Sequence, residues 1–211
     1  MKTNYISSSV IKRLPRYYRF LGGLKKKGIT RISSNELAKM MHLTASQIRQ
    51  DLNCFGGFGQ QGYGYNIDLL YEEIGGILGL SAPAKAIMLG VGKLGVVVAE
   101  NMDFKKLGFN LVGAFDVDDK VIGSSVSGLQ VLHIDKLEEF CEKEKPDAAF
   151  LCVPASAAEQ LCTRLISLGI KGFWNFSHYD IKLEHPNIAV ENVHFADSLM
   201  RLSYIFKSTD K

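Results

Sequence analysis

The sequence lacks the features that mark secreted, membrane-spanning and metal-binding proteins. None of its apolar runs reaches the roughly 18 residues that a membrane span needs, and no stretch resembles a secretory signal peptide. There are four cysteines among 211 residues, none in C-x-x-C spacing, and the five histidines show no metal-ligand spacing. We therefore expect no metal, no membrane partner and a cytoplasmic location.

A catalytic set is also missing. The histidines are scattered along the chain and none has an evident carboxylate to orient it; they are His42, His133, His178, His185 and His194. We assign no catalytic residue and predict that the protein is not an enzyme.

The charge of the chain is divided unevenly. Residues 1–66 carry 11 Lys or Arg against two acids, a net charge of +9, and residues 67–211 carry 14 against 20, a net charge of −6. A small basic module can be merely a solvated surface, but an imbalance of this size favours a polyanionic partner such as nucleic acid. The length allows two small domains, and we place a boundary near residues 80–84.

The basic segment has the pattern of a helix-turn-helix. Apolar residues at helical spacing predict a first helix over residues 8–27. A second helix starts at Ser33 or Ser34, and a third at Thr44, each with a polar N-cap. The inward-facing residues of the second and third helices are predicted to be Leu37, Met40, Met41, Ile48, Leu52 and Phe55.

A β-hairpin is predicted to follow the third helix. Gln60, Gln61 and Gly62 fit its turn, and Tyr63, Tyr65 and Ile67 alternate as strand residues do. Three helices and a hairpin predict a winged-helix domain over residues 1–80.

The third helix of such a domain would enter the DNA major groove. There Arg49 can pair with guanine, and Gln47 or Gln50 with adenine, whereas other basic residues hold phosphates. Alternatively, Arg49 pairs with Asp51 or another acid of the module. The predicted DNA-binding residues are Arg13, Arg16, Ser34, Thr44, Ser46, Gln47, Arg49, Gln50, Gln60 and Gln61.

Strand and helix patterns alternate beyond residue 81 and predict an α/β fold, a Rossmann-like, doubly wound parallel sheet over residues 81–193. Its first strand leads through Gly90-x-Gly92-x-x-Gly95 into a helix, the context that a dinucleotide-binding loop requires. Asp116 ends the next strand, where an acid can bond ribose hydroxyls and repel a 2′-phosphate, so NAD is favoured over NADP. Alternatively, the glycines serve only a tight turn, and Asp116 is a solvated strand end.

Several motifs together resemble the Rex family of redox-sensing transcriptional repressors. They are RLPRYYR, ISSNELA, SQIRQDLNCFGGFGQQGYGYNI, ILGL, GVGKLG, GAFDVD, VPA, GIKGFWNF and VENV, and the resemblance covers roughly residues 6–206. It implies a homodimer that binds palindromic operator DNA, senses the NADH/NAD ratio and leaves the DNA when NADH binds.

The resemblance also assigns residues. It implies that NADH or NAD contacts Gly90, Val91, Gly92, Lys93, Leu94, Gly95 and Asp116, with Phe195 near the partner's nicotinamide. The last helix, residues 194–211, would be exchanged between subunits through the apolar stripe Leu199, Leu202, Ile205 and Phe206. A switch contact is implied between Arg19 and the start of that helix, where this sequence has His194 in place of an acid and Asp197 one turn later.

Two other functions fit parts of the pattern. A small NAD-dependent oxidoreductase with a basic N-terminal appendage would use the same glycine loop, but roughly 125 residues leave no room for a substrate lobe. A binder of CoA or another nucleotide would use a related α/β fold.

Overall fold

The chain forms two compact units, which are divided between Ala82 and Pro83. The computed structural model describes residues 6–55, 59–60 and 63–209. Within these ranges no helix combines the length and the apolar character that a bilayer span requires.

The described residues of the first unit form four helices and a small sheet. The helices are α1 (Ser8–Lys26), α2 (Ser34–Met41), α3 (Ala45–Asn53) and α4 (Ile67–Ile77). The strands β1 (Arg31–Ile32), β2 (Gly59–Gln60) and β3 (Gly64–Asn66) pair antiparallel in the order β1-β3-β2. A helix-turn-helix followed by a hairpin is the winged-helix arrangement that the sequence predicts.

Local hydrogen bonds define the turn between α2 and α3. Ser33 and Glu36 form a reciprocal capping box at the start of α2, and the backbone ends that helix at His42 with a left-handed φ of 52°. The hydroxyl of Thr44 then accepts a hydrogen bond from the amide of Gln47 at 3.1 Å and begins α3. These side chains fix the lengths of the two helices and the turn between them.

Two details of the first unit correct the sequence prediction. Met40 is 39% exposed, and Ala38 is buried in its place beside Leu37 and Met41. Ile67 does not extend the strand, because the side chain of Asn66 caps α4 and Ile67 is its first residue.

Seven strands form the sheet of the second unit. They are β4 (Ala84–Leu89), β5 (Phe109–Asp116), β6 (Ser125–Val126), β7 (Leu129–His133), β8 (Ala148–Leu151), β9 (Gly172–Asn175) and β10 (Ala189–Asn192). They lie in the order β10-β9-β8-β4-β5-β7-β6, and all neighbours are parallel except the β6–β7 hairpin. The predicted doubly wound sheet is confirmed, and the β6–β7 hairpin at its edge was not predicted.

Helices cover this sheet from two sides, and they are α5 (Lys93–Asn101), α6 (Leu137–Glu144), α7 (Ala155–Ser167) and α8 (Ile181–Glu184). The last helix, α9 (Phe195–Thr209), does not cover the sheet, because its residues 195–208 are exposed. Val98 and Ala99 of α5 pack with Met88 in one core, whereas Cys141 of α6 and Cys162 of α7 pack in a second core. Successive residues of β4 alternate between these cores, as a strand buried on both faces must.

Candidate functional site

A crevice opens at the carboxyl ends of β4, β5 and β8. β5 follows β4 towards one edge of the sheet, whereas β8 lies on the other flank of β4 and is followed by β9 towards the opposite edge. The strand order therefore reverses between β4 and β8. Doubly wound sheets bind their ligands at such a reversal. The cavity has a volume of about 420 Å³, which is within the usual range for small-molecule sites, and its walls include Gly90, Gly92, Asp116, Ile134, Cys152 and Arg164.

Gly90 and Gly95 are required by close backbone packing. Gly90 has a φ of 88°, and a Cβ atom there would lie 2.5 Å from the carbonyl oxygen of Cys152. A Cβ atom on Gly95 would overlap the carbonyl oxygen of Gly90. The two glycines therefore let the loop turn sharply between β4, β8 and the first turn of α5.

Gly92 differs, because it faces open space. Its φ is −72°, and no atom lies within 4 Å of a Cβ built on it. It is the N-cap of α5, and no side chain caps the first turn of that helix. The uncapped amides and the positive end of the helix dipole thus face a space that an anionic group can enter.

The carboxylate of Asp116 joins β5 to the glycine loop. One oxygen accepts a hydrogen bond from the amide of Val91 at 2.5 Å, and the other accepts from Val117 at 2.7 Å and Asp118 at 3.0 Å. Asp116 therefore fixes the position of the loop, and its partly exposed carboxylate adds negative charge to the wall of the cavity.

An ion pair that was not predicted from the sequence lies at one end of the cavity. The guanidinium of Arg164 on α7 donates to both carboxylate oxygens of Glu138 on α6, each at 2.5 Å, and to the carbonyl of Ile134 at 3.1 Å. Hydrogen bonding to Arg164 holds the pKa of Glu138 below its usual value. The pair ties the segment of Ile134 to α7 and so fixes two walls of the cavity.

Burial keeps the thiol beside the glycine loop protonated. Cys152 is partly buried, and desolvation raises its pKa to about 11. All four cysteines are free thiols, and Cys54 is exposed. At neutral pH Cys152 therefore contributes apolar surface to the cavity and no thiolate.

The second candidate site is the outward face of α3. Ser46, Arg49 and Gln50 are exposed there, and Gln47 is half-buried. One guanidinium nitrogen of Arg49 donates to the hydroxyl of Ser34 at 3.0 Å, which joins α3 to the start of α2. The outward face of α3 therefore carries a positive charge and side-chain amides, as the recognition helix of a helix-turn-helix does.

Comparison with known proteins covers both units. Residues 5–53 match a family model described as a putative DNA-binding protein N-terminus, and residues 81–179 match a CoA binding domain model. The redox-sensing transcriptional repressor Rex of Clostridioides difficile strain 630 is 47% identical over 202 residues, which is 96% of each chain. The Rex repressor of Clostridium perfringens strain SM101 is 44% identical over 209 residues, 99% of this chain and 98% of the relative. The chain belongs to the Rex family of redox-sensing transcriptional repressors.

Solved structures of Rex-family repressors have the same fold. A crystal structure of RSP in complex with beta-NAD+ and operator DNA has a TM-score of 0.90 and 44% identity, over 99% of this chain and 95% of that chain. A crystal structure of RSP in complex with beta-NADH has a TM-score of 0.89 and 41% identity, over 99% and 97%. The resemblance that the sequence motifs indicate is confirmed, and the oxidoreductase reading is not favoured.

Two half-buried arginines that were assigned to DNA phosphates make hydrogen bonds within the first unit of this Rex protein. Arg13 donates to both carboxylate oxygens of Asp51, at 2.6 and 2.8 Å, and Arg16 donates to the carbonyl of Met41 at 2.6 Å. These contacts use only some of the N–H donors of each guanidinium, and the phosphate contacts of Arg13 and Arg16 stay predictions. Asp51, which is one of the alternative partners named for Arg49, is bonded by Arg13, whereas Arg49 donates to Ser34.

The remaining predicted DNA-binding residues of the Rex chain are placed as follows. The hydroxyl of Thr44 is used as the N-cap of α3, and Ser34 contacts Arg49. Gln60 lies on β2, opposite Gly64, at the end of the hairpin pairing. Gln61 lies outside the described residues.

The predicted nucleotide and switch residues are placed at several points of the Rex fold. Lys93 is exposed and Leu94 half-buried in the first turn of α5. Phe195 is 60% exposed at the start of α9, with its ring centroid 6.2 Å from that of Phe176. Nδ1 of His194 lies 3.6 Å from a carboxylate oxygen of Asp197. Arg19 is exposed on α1 beside a surface cavity of about 340 Å³.

Proposed function

We propose that this Rex-family protein is a homodimeric repressor that binds palindromic operator DNA and leaves it when NADH binds. One observation carries the proposal: a DNA-reading helix and a dinucleotide crevice occur in one chain that matches, over 99% of its length, a repressor crystallised with beta-NAD+ and operator DNA. The first unit then binds the operator, and the second unit binds the nucleotide that controls this binding.

The crevice suits the reduced or oxidised dinucleotide. The pyrophosphate would lie against Gly92 and the uncapped amides of α5, where no side chain competes for the space. The ribose would meet Asp116, whose negative charge disfavours the 2′-phosphate of NADP. Gly90, Val91, Lys93, Leu94 and Gly95 complete the proposed loop contacts.

The outward face of α3 suits base reading in the major groove. We assign the base contacts to Ser46, Gln47, Arg49 and Gln50, and the wing contacts to Gln60 and Gln61. Lys26, Lys27 and Arg31 are exposed and supply charge for the phosphate backbone. Lys25 is less available, because it lies 2.9 Å from a carboxylate oxygen of Asp68.

The exposed apolar side chains of the last helix favour a dimer. Leu199, Leu202 and Phe206 of α9 are 68%, 59% and 69% exposed in the single chain. Large apolar side chains repeated on one helix face mark an interaction surface. We propose that α9 packs on a second copy, which would bring Phe195 to the partner's nucleotide and leave Arg19 to pair with Asp197 or His194.

The proposal requires no turnover of the nucleotide. NADH and NAD differ in ring charge and planarity, and a ligand shifts a two-state protein only through its different affinity for the two states. Moving the equilibrium from 1:99 to 99:1 takes about 5.5 kcal/mol. The protein would act in the cytoplasm, on the DNA that it reads.

A titration of DNA affinity with nucleotides tests the function. The probe is a labelled palindromic duplex that the protein itself has selected from a random pool, followed by anisotropy at one fixed salt concentration, because phosphate contacts make affinity depend steeply on salt. We expect NADH to weaken binding at least tenfold, NAD to do so less, and NADPH to need higher concentrations than NADH. DNA affinity that does not respond to NADH contradicts the proposal. Steady NADH consumption with a carbonyl substrate would support the oxidoreductase instead, and competition by CoA would support the CoA binder.

Arg49→Ala tests the reading helix. If Arg49 contacts a base, its loss should cost about 1–3 kcal/mol of operator affinity and relax the base preference at one position of each half-site. The measurement is anisotropy on the selected duplex and on single-base variants of it. Lys143→Ala, on an exposed position of α6, is the matched control for a lost positive charge. Equal loss on every duplex would make Arg49 a backbone contact.

A further inference from the structure

Asp51 is the one charged residue that is buried in the described part of the chain. It lies on α3 between the exposed Gln50 and the buried Leu52, and the residue is 2% exposed. A carboxylate taken out of water is costly unless charged and polar partners replace the lost hydration.

Three hydrogen bonds from α1 supply those partners. Nε and Nη2 of Arg13 donate to the two carboxylate oxygens of Asp51 at 2.6 and 2.8 Å, and the Tyr17 hydroxyl donates to one of them at 2.8 Å. Tyr17 is itself fully buried, and burial, together with the bond to Asp51, raises the pKa of its hydroxyl. Tyr17 therefore remains a donor at every pH at which the protein works.

Stability alone does not account for this cluster. An apolar pair of similar volume is often as stable as a buried ion pair, or more so. Leu52 and Ile48 already attach α3 to the core by apolar packing. Such packing sets the distance between helices, but it tolerates small rotations of a helix about its own axis, whereas a bidentate pair has a preferred direction.

The rotation of α3 is what base reading depends on. Residues two apart on a helix lie about 200° apart, so Arg49 leaves α3 on the side opposite Asp51. At a radius of roughly 5–6 Å, a rotation of about 20° displaces a reading group by about 2 Å, which exceeds the tolerance of a hydrogen bond to a base.

We propose that Asp51 is a positioning residue for DNA reading: its bonds to Arg13 and Tyr17 set the rotation of α3 and thus the direction in which Arg49 and Gln50 meet the bases. The inference rests on the proposed DNA-binding function. It gives Arg13 a role within the unit besides the phosphate contact expected from the sequence.

Asp51→Asn and the double variant Arg13→Met/Asp51→Leu test the inference. The first keeps the shape of the side chain and removes its charge, and the second replaces the ion pair with apolar side chains. The quantities measured are the ratio of affinities for the selected duplex and for a scrambled duplex, the thermal unfolding midpoint, and the NADH affinity.

A positioning role predicts a tenfold or greater fall of this ratio in both variants, with scrambled-duplex and NADH affinities within about twofold of the parent. The double variant should unfold near the parent temperature, so that the lost ratio does not reflect unfolding. If Asp51→Asn does not fold, the double variant and Tyr17→Phe, which removes one donor and keeps the ring, carry the test.

Two results overturn this inference and leave the proposed function standing. One is a ratio of selected-duplex to scrambled-duplex affinity in the folded variants that equals that of the parent, and the other is an equal loss of affinity for both duplexes. A parent protein without any preference for the selected duplex overturns the proposed function, and this inference with it.

Discussion

Gly90→Ala is expected to abolish NADH binding and to destabilise the second unit by about 3 kcal/mol or more. The left-handed φ of 88° is unfavourable for alanine, and its Cβ atom would lie 2.5 Å from the carbonyl oxygen and 2.8 Å from the carbonyl carbon of Cys152. Because both contacts are with backbone, no rotamer change relieves them. Either β4 and β8 separate at their carboxyl ends or the loop leaves its position, and the crevice is lost in both cases.

Gly92→Ala is the matched control for this prediction. A Cβ atom on Gly92 meets no protein atom within 4 Å, and its φ of −72° suits any residue. This variant should unfold at the same temperature as the parent. Its NADH affinity should nevertheless be lower, because the methyl group enters the space assigned to the pyrophosphate. Thermal unfolding and NADH fluorescence titration give the two readouts. Parent-like NADH affinity in Gly90→Ala would show that the loop is not the binding site.

Local patterns in the sequence were sufficient to predict the helices other than the short α8, and most strands. Thr44 and the pair Ser33 and Glu36 are short-range capping patterns, and they start α3 and α2 where the structure has them. The glycine spacing predicted the strand, turn and helix of the crevice for the same reason. The β6–β7 hairpin was missed because β6 has only two residues, although Ser127 and Gly128, with φ of 50° and 77°, form a turn of a recognisable type.

Long-range pairs were the part that the sequence did not reveal. Arg13 and Asp51 are 38 residues apart, and Arg164 and Glu138 are 26 apart, so only the tertiary packing of separate helices brings each pair together. One alternative could have been dismissed from the sequence. Arg49 and Asp51 are two residues apart on a helix and point in opposite directions, which already argues against an ion pair between them.

Leu202→Glu combined with Phe206→Glu is expected to yield monomers and to reduce operator affinity by about 10²- to 10⁴-fold. Leu202 and Phe206 lie one turn apart on α9 and are 59% and 69% exposed, so the single chain loses almost no packing when they change. In the proposed dimer the same side chains are buried, and two glutamates there would carry unpaired charge into an apolar contact. A palindromic operator is bound by the two DNA-binding units of a dimer. Separate monomers lose the gain in affinity that comes from linking these two units.

The matched control is Ser208→Glu, which adds charge on the other side of the same exposed helix. Light scattering should give a dimer for the parent and for Ser208→Glu and a monomer for the double variant, with anisotropy on the selected duplex falling only for the monomer. Thermal unfolding of the second unit should be independent of concentration in the double variant and dependent on it in the parent, since a dimer is stabilised by mass action. A double variant that stays dimeric and keeps its operator affinity would mean that α9 does not join the two copies. The exposed side chains of this helix would then need a different partner.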